Sequence, residues 1–148
     1  MTVLIEAKPD DVEVIVGLLS QMSEELNELD YTTDVARQSV IRSFSENVHY
    51  FLFSKNDRII GTCYTQSVHN YWRLEKRFYL GVFYIQPEYR GQGVFREIYN
   101  QLKLWVEAHS GTQIYAHIHE NNTKSLKAFE SVGHTKADYI LSINHWGD

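Results

Sequence analysis

Residues 78–95 constrain the fold of this chain more than any other segment. Phe78–Ile85 (FYLGVFYI) is almost continuously apolar, and a short run of that kind reads as a central strand covered on both faces. Gly81 inside it predicts a bulge or a close backbone approach. Gln86-Pro87 ends the run, and Gly91 and Gly93 follow. Ile98, Leu102, Trp105 and Val106 then recur at helical spacing from about Val94 to His109. A strand that turns through glycines into a helix leaves the first helical N–H groups unpartnered at the positive end of the dipole. With the charge of Arg90 beside them, those amides suit an anion the size of a pyrophosphate. A tight turn that happens to hold two glycines is the plainer reading of this segment taken alone.

The flanking segments supply the rest of a compact α/β chain. Thr2–Ala7 reads as a strand. Pro9 and the acids at 10, 11 and 13 open a helix whose apolar face is Val12, Ile15, Leu19, Met22, Leu26 and Leu29. Asp30–Thr33 breaks it, and Thr33 or Asp34 caps a second helix to about Phe44, with Val40, Ile41 and Phe44 buried. His49–Ser54 and Arg58–Val68 are strands joined by a Lys55-Asn56-Asp57 turn, and residues 69–77 read as a loop. After the Ser110-Gly111 stop, Thr112–His119 is a strand of alternating pattern. Asn122–Val132 is a helix that Asn122 caps and Gly133 ends, and Asp138–Asn144 is a last strand. The order is βααβββαβαβ, an α/β fold with a mixed sheet in one domain spanning 1–148.

Several classes of protein fit poorly. Cys63 is the only cysteine, so no intrachain disulfide is available, and a strand cysteine is more often a small core residue than a nucleophile. No apolar run reaches the length of a membrane span, and the N-terminus lacks the pattern of a signal peptide. The expectation is a cytoplasmic protein without membrane or nucleic-acid partners. His117 and His119 share a strand face, but nothing at workable spacing completes a metal site. The glycine turn lacks the Gly-Lys-Ser/Thr of a nucleotide-hydrolysing loop, and no Gly-x-Ser-x-Gly elbow occurs.

Two motifs together carry a resemblance. Tyr84-Ile85-Gln86-Pro87 leads into Arg90-Gly91-Gln92-Gly93-Val94-Phe95. Thirty-seven residues after Ile85 comes Asn122, followed by Ser125, Phe129 and Gly133 at offsets of three, seven and eleven. This pairing, and the order of elements over essentially the whole chain, resembles the GNAT superfamily of acyl-CoA N-acyltransferases. The resemblance implies a mostly antiparallel mixed sheet flanked by helices, with acetyl-CoA as cosubstrate and no metal. It implies that the backbone of Phe83, Tyr84 and Ile85 pairs with the pantetheine arm. The N–H groups of Arg90, Gly91, Gln92, Gly93, Val94 and Phe95 would hold the pyrophosphate, and Asn122 and Ser125 would line the arm. The acetyl carbonyl would lie near Phe78–Ile85, polarised by a backbone N–H. It also implies a homodimer through the C-terminal strands.

This chain departs from the family pattern in two places. Phe95 stands where the phosphate loop usually ends in a small residue. Phe129 stands where many relatives carry a tyrosine that protonates the leaving thiolate. The run Phe78–Ile85 holds no carboxylate, so the base that takes a proton from the ammonium is sought in Glu120, His119, His117 or Tyr84. Each of these has a plainer reading as a solvated strand-end residue or a packed aromatic. Arg73, Lys76 and Arg77 read as a solvated loop that reaches, at most, the cofactor's 3′-phosphate.

The expected reaction is direct transfer of an acetyl group to a primary amine, on a small molecule or a peptide or protein. A catalytically weak acyl-CoA-binding sensor or partner subunit of the same fold is the alternative. Charge bears on the acceptor. Net charge is −5, yet residues 1–36 hold nine Asp/Glu and only Lys8 as a base, while the remaining 112 residues hold 10 acids and 13 bases. If the acidic segment walls the acceptor side, as in the family, it would draw a cationic amine; a solvated helix face is the plainer reading.

Overall fold

The N-terminal apolar run forms β1 (Val3–Glu6), the edge of a five-stranded sheet of order β1-β2-β3-β4-β5 in the computed structural model, which describes residues 1–28 and 31–147. Strands β2 (Val48–Lys55), β3 (Arg58–Asn70) and β4 (Glu75–Ile85) follow, each antiparallel to its neighbour, and β5 (Gln113–Tyr115) runs parallel to β4. Asn56 and Asp57 take φ of 50° and 62°, the left-handed pair that a two-residue hairpin turn requires. The loop expected over 69–77 contracts to residues 71–74. Val68, His69 and Asn70 pair with Arg77, Lys76 and Glu75, because polar side chains are tolerated on a solvated antiparallel ribbon.

Three helices cover this sheet: α1 (Val12–Leu26), α2 (Thr33–Ser43) and α3 (Val94–Ala108). Pro9–Asp11 is a short 3₁₀ turn ahead of α1, and the Lys8 N–H donates to Asp11 Oδ2 at 2.8 Å. On α1 the buried face is Ile15, Val16, Leu18 and Leu19. Leu26, expected on that face, is exposed, because the helix ends there and Asn27 turns left-handed. Leu29 and Asp30 lie outside the described residues. The cap of α2 is Thr32 rather than Thr33 or Asp34, its Oγ1 accepting from Val35 N–H at 3.2 Å. Ala36, Val40 and Ser43, at four- and three-residue spacing, face inward, while Ile41 and Phe44 are exposed.

One core joins Ile15, Leu18, Leu19, Val40, Tyr50, Leu52 and Tyr84, uniting α1 and α2 with one sheet face. On the other face Trp105 of α3 meets the edges of Phe51 and Phe78, at centroid distances of 5.0 and 5.5 Å. Each fully buried side chain of this size contributes about 1.5–3 kcal/mol. β4 is less enclosed than expected: Phe78, Leu80 and Tyr84 are buried, but Tyr79, Val82 and Phe83 only half so. The cause is its outer edge, which carries a neighbouring strand only as far as Tyr79. The exposed edge of β1 is covered by α3 side chains: Glu97 Oε2 accepts from Thr2 N–H, and Gln101 bonds both Leu4 N–H and Thr2 O.

Met1–His117 forms one compact unit and the chain from Ile118 onward a second. The second holds α4 (Thr123–Ser131), capped by Asn122 Oδ1 on Ser125 N–H at 3.1 Å and ended by Gly133 with φ 102°. The strand expected at Thr112–His119 keeps only three paired residues, since β4 bulges just beyond and pairing stops. The strand expected at Asp138–Asn144 does not form among the described residues. Tyr139 and Ile140 are 90% and 93% exposed. The observed order is therefore βααβββαβα.

Candidate active site

The loop after β4 is built to present backbone amides. Pro87–Tyr89 makes a 3₁₀ turn in which Arg90 N–H donates to Pro87 O, so that amide is already spent. Gly91 and Gly93 then take φ of 74° and 80°, and a Cβ at either would meet nothing within 4 Å. The glycines are required here for backbone conformation rather than for room. The first N–H of the α3 ladder is that of Glu97, bonded to Gly93 O at 3.1 Å. The amides of Gly91, Gln92, Gly93 and Val94 make no hydrogen bond among the described residues, and the first three residues are exposed. They sit at the positive end of a 15-residue helix, an arrangement that binds phosphate.

Side chains brace this loop on both sides. The Arg90 guanidinium does not stand free over the amides. Its Nη2 donates to Glu25 Oε2 at 2.8 Å, its Nη1 to Glu25 Oε1, and its Nε to Ile85 O at 2.8 Å. Gln86 Nε2 donates to Gln21 Oε1, a second tie to α1. On the far side Lys55 Nζ donates to Gln92 Oε1 at 3.0 Å, and Gln92 Nε2 to Glu88 O. Sequence reasoning missed Lys55 and Glu25, which are 37 and 65 residues from their partners; no local signal marks either.

Strand β4 carries the second element of the site. Beyond Tyr79 its outer edge, through Phe83, Tyr84 and Ile85, pairs with no strand among the described residues. The register with β3 shifts between Tyr64 and Thr65, which pair with Val82 and Leu80, leaving Gly81 as the bulged residue the sequence anticipated. A Cβ on Gly81 would fall 1.9 Å from Tyr64 Cζ and 2.1 Å from its hydroxyl, so the Tyr64 phenol lies directly on the bulge. Phe83 turns to the α3 side, its ring 5.0 Å from Phe53 and 4.9 Å from Phe95. Packing onto Phe83 explains how a large residue at 95 is accommodated.

The catalytic candidates have differing surroundings. Tyr84 is buried against the α1 core, its hydroxyl raised above the usual phenol range by burial and then by Glu25, with Arg90 opposing. His117 is exposed, with its ring 5.0 Å from that of Tyr79. In the second unit His119 and Glu120 are exposed in a turn, where His119 Nδ1 accepts from Asn121 N–H at 3.1 Å. Ser125 is half-buried at the start of α4. Phe129 is buried, its ring 5.0 Å from His134, and burial lowers the His134 pKa. Cys63 is fully buried, and burial pushes its thiol far up, which suits a core residue. Among the described residues no group of three His, Cys, Asp or Glu side chains is placed to hold a metal ion. No helix among them is long and apolar enough to cross a membrane.

The same fold occurs in solved structures of distant sequence. A possible acetyltransferase from Clostridium difficile 630 matches at 17% identity and a TM-score of 0.88, over 100% of this chain and 99% of its own. AAC(6')-Iy, solved with a bisubstrate analogue of CoA and acetylneamine, matches at 14% identity and TM-score 0.84, over 99% of both chains. A predicted acetyltransferase from Clostridium acetobutylicum, solved with acetyl-CoA, matches at 16% identity and TM-score 0.80, over 97% and 96%. No curated protein sequence matches significantly. Residues 16–134, which contain the phosphate-loop and Asn122 motifs whole, match the Acetyltransferase (GNAT) family, and the chain belongs to it.

Proposed function

We propose that this protein transfers an acetyl group from acetyl-CoA directly to a primary amine. One observation carries the reading: the unpaired edge of β4 runs without interruption into a loop of unbonded amides. An extended arm of amides ending in a pyrophosphate needs that succession. The phosphates would lie on the amides of Gly91–Val94, with Lys55 at one side. The pantetheine arm would add to the edge at Phe83–Ile85, bringing the thioester to the bulge at Gly81. By the motif they match, Asn122 and Ser125 serve the same arm.

The chemistry then requires little machinery. The neutral amine attacks the thioester carbon, the C–S bond breaks, and its electron pair leaves on sulfur as thiolate. One proton must leave the new ammonium, and Glu120 or His119, both open to water, take it directly or through solvent. Backbone N–H groups freed by the bulge polarise the carbonyl.

The test combines calorimetry with a thiol-release assay across amines. Acetyl-CoA should bind, and Gly93→Val should weaken it by at least about tenfold, since a β-branched residue resists the left-handed conformation that aims the amides. Unchanged affinity in that variant places the anion elsewhere and ends this reading. Tight acetyl-CoA binding without turnover on any amine would instead favour the sensor, a reading that Phe129 motivates because its ring has no proton to give.

A further inference from the structure

A groove runs beneath the C-terminal end of α2, away from the phosphate loop. It consists of two adjoining cavities of about 490 and 210 Å³ that share Ser43, Glu46, Val48 and Tyr50. The larger is bounded by Tyr64 and Gln66, the smaller by Glu6 and His49. Tyr64 links this groove to the site above, because the same phenol lies on the Gly81 bulge. From the arrangement we infer that the groove is the acceptor's seat, and that it takes an elongated aliphatic amine with a second positive charge. This inference rests on the transferase reading and names its acceptor class.

Independent features agree on a cation. The C-terminus of α2, the negative end of an 11-residue helix dipole, borders the groove at Ser43, although its last carbonyls already accept from Ser43 Oγ and from the N–H groups of Phe44, Ser45 and Glu46. Glu46 borders both cavities and Glu6 the smaller one. The opposing charge is Arg42, whose Nε reaches Glu46 Oε1 only at 3.5 Å and whose side chain is 80% exposed. His49 Nδ1 lies 3.1 Å from Glu6 Oε1. Tyr50, only 7% exposed, borders both cavities, and its hydroxyl takes no hydrogen bond among the described residues. Its ring lies 5.2 Å from that of Tyr64, so the groove offers phenol faces and oxygens, which attract and accept from an ammonium. Burial pushes the Tyr50 hydroxyl up to about 12, so it adds no charge of its own.

The geometry also sets the shape. The reacting amine belongs at Tyr64, in the larger cavity beside the bulge, while Glu46 borders both cavities and Glu6 lies in the smaller one. A compact monoamine reaches only the first position, whereas a diamine spans both.

The experiment compares 1,4-diaminobutane with butylamine on the full chain, by acetyl-transfer kinetics and by calorimetric binding with acetyl-CoA present and absent. The wild type should favour the diamine about tenfold in kcat/KM. Glu46→Gln should cut that preference about threefold and Glu6→Gln/Glu46→Gln should nearly abolish it, as expected for part-exposed charges. Glu46→Asp should keep most of it, and KM for acetyl-CoA should not change in any of these. Equal use of both amines by the wild type, or a preference that survives in the double variant, overturns the assignment. If no amine is acetylated, the transferase reading falls, and the groove is judged on binding alone. A tighter Kd for the diamine that the double variant loses upholds the groove, and equal Kd values refute it.

Discussion

Arg90 shows how a residue legible in sequence acquires a different task in the fold. Beside two glycines it reads as an added charge for a phosphate, yet its guanidinium is held by Glu25 and Ile85 O. It braces the loop against α1 instead. The pair is part-exposed, 32% and 39%, so it contributes no more than about 1 kcal/mol. Glu25→Gln should therefore lower the melting temperature by only a few degrees. It should also strengthen acetyl-CoA binding about two- to threefold, because the freed guanidinium no longer faces a competing carboxylate. Calorimetry and a thermal melt on the same sample check both. A fall in affinity would show that the brace is what aims the amides. Nothing in the sequence marks Glu25, one acid among many on a helix, because only the folded chain brings it to residue 90.

Strand β4 contains both a success of pattern reading and its limit. A glycine within an apolar strand predicts a bulge, and Gly81 is one. What the pattern omits is the side chain that fills the space, Tyr64 from β3. Gly81→Ala should cost about 1–3 kcal/mol, because its Cβ would displace the Tyr64 ring, and a denaturant titration checks this. At Gly93, by contrast, a side chain meets nothing, so the penalty there is conformational. Residues 69–77 and 138–144 fail in opposite directions. The polar composition of 69–77 reads as a loop, yet the segment folds back on itself and its ends pair as a hairpin. The apolar pattern of 138–144 reads as a strand, yet among the described residues the segment forms none. Strand formation depends on a neighbour, and periodicity carries no information about that neighbour.

Across the whole molecule, the acidic character of residues 1–36 is partly consumed. Glu13 pairs with Arg37, Asp11 holds the Lys8 N–H, Asp34 accepts from Gln38 and Glu25 holds Arg90. Apart from Glu6, which borders the groove, the negative field that remains is diffuse, so its effect belongs to encounter rather than to a contact. Raising ionic strength from about 0.02 to 0.3 M should lower kcat/KM for a diamine severalfold and for a neutral acyl acceptor hardly at all. Equal salt dependence for both would leave only solvated helix faces. The strand–turn–helix of the phosphate loop, the α4 cap at Asn122, the bulge at Gly81 and the family are all legible along the chain. They are written in residues close together in sequence, where glycine conformation, capping and apolar period act locally. Lys55 and Glu25 come to flank the loop, Tyr64 to cover the bulge and a groove to open under α2 only once the chain has folded. These arrangements depend on which segments lie side by side after the sheet closes, a matter of long-range packing that no local pattern encodes.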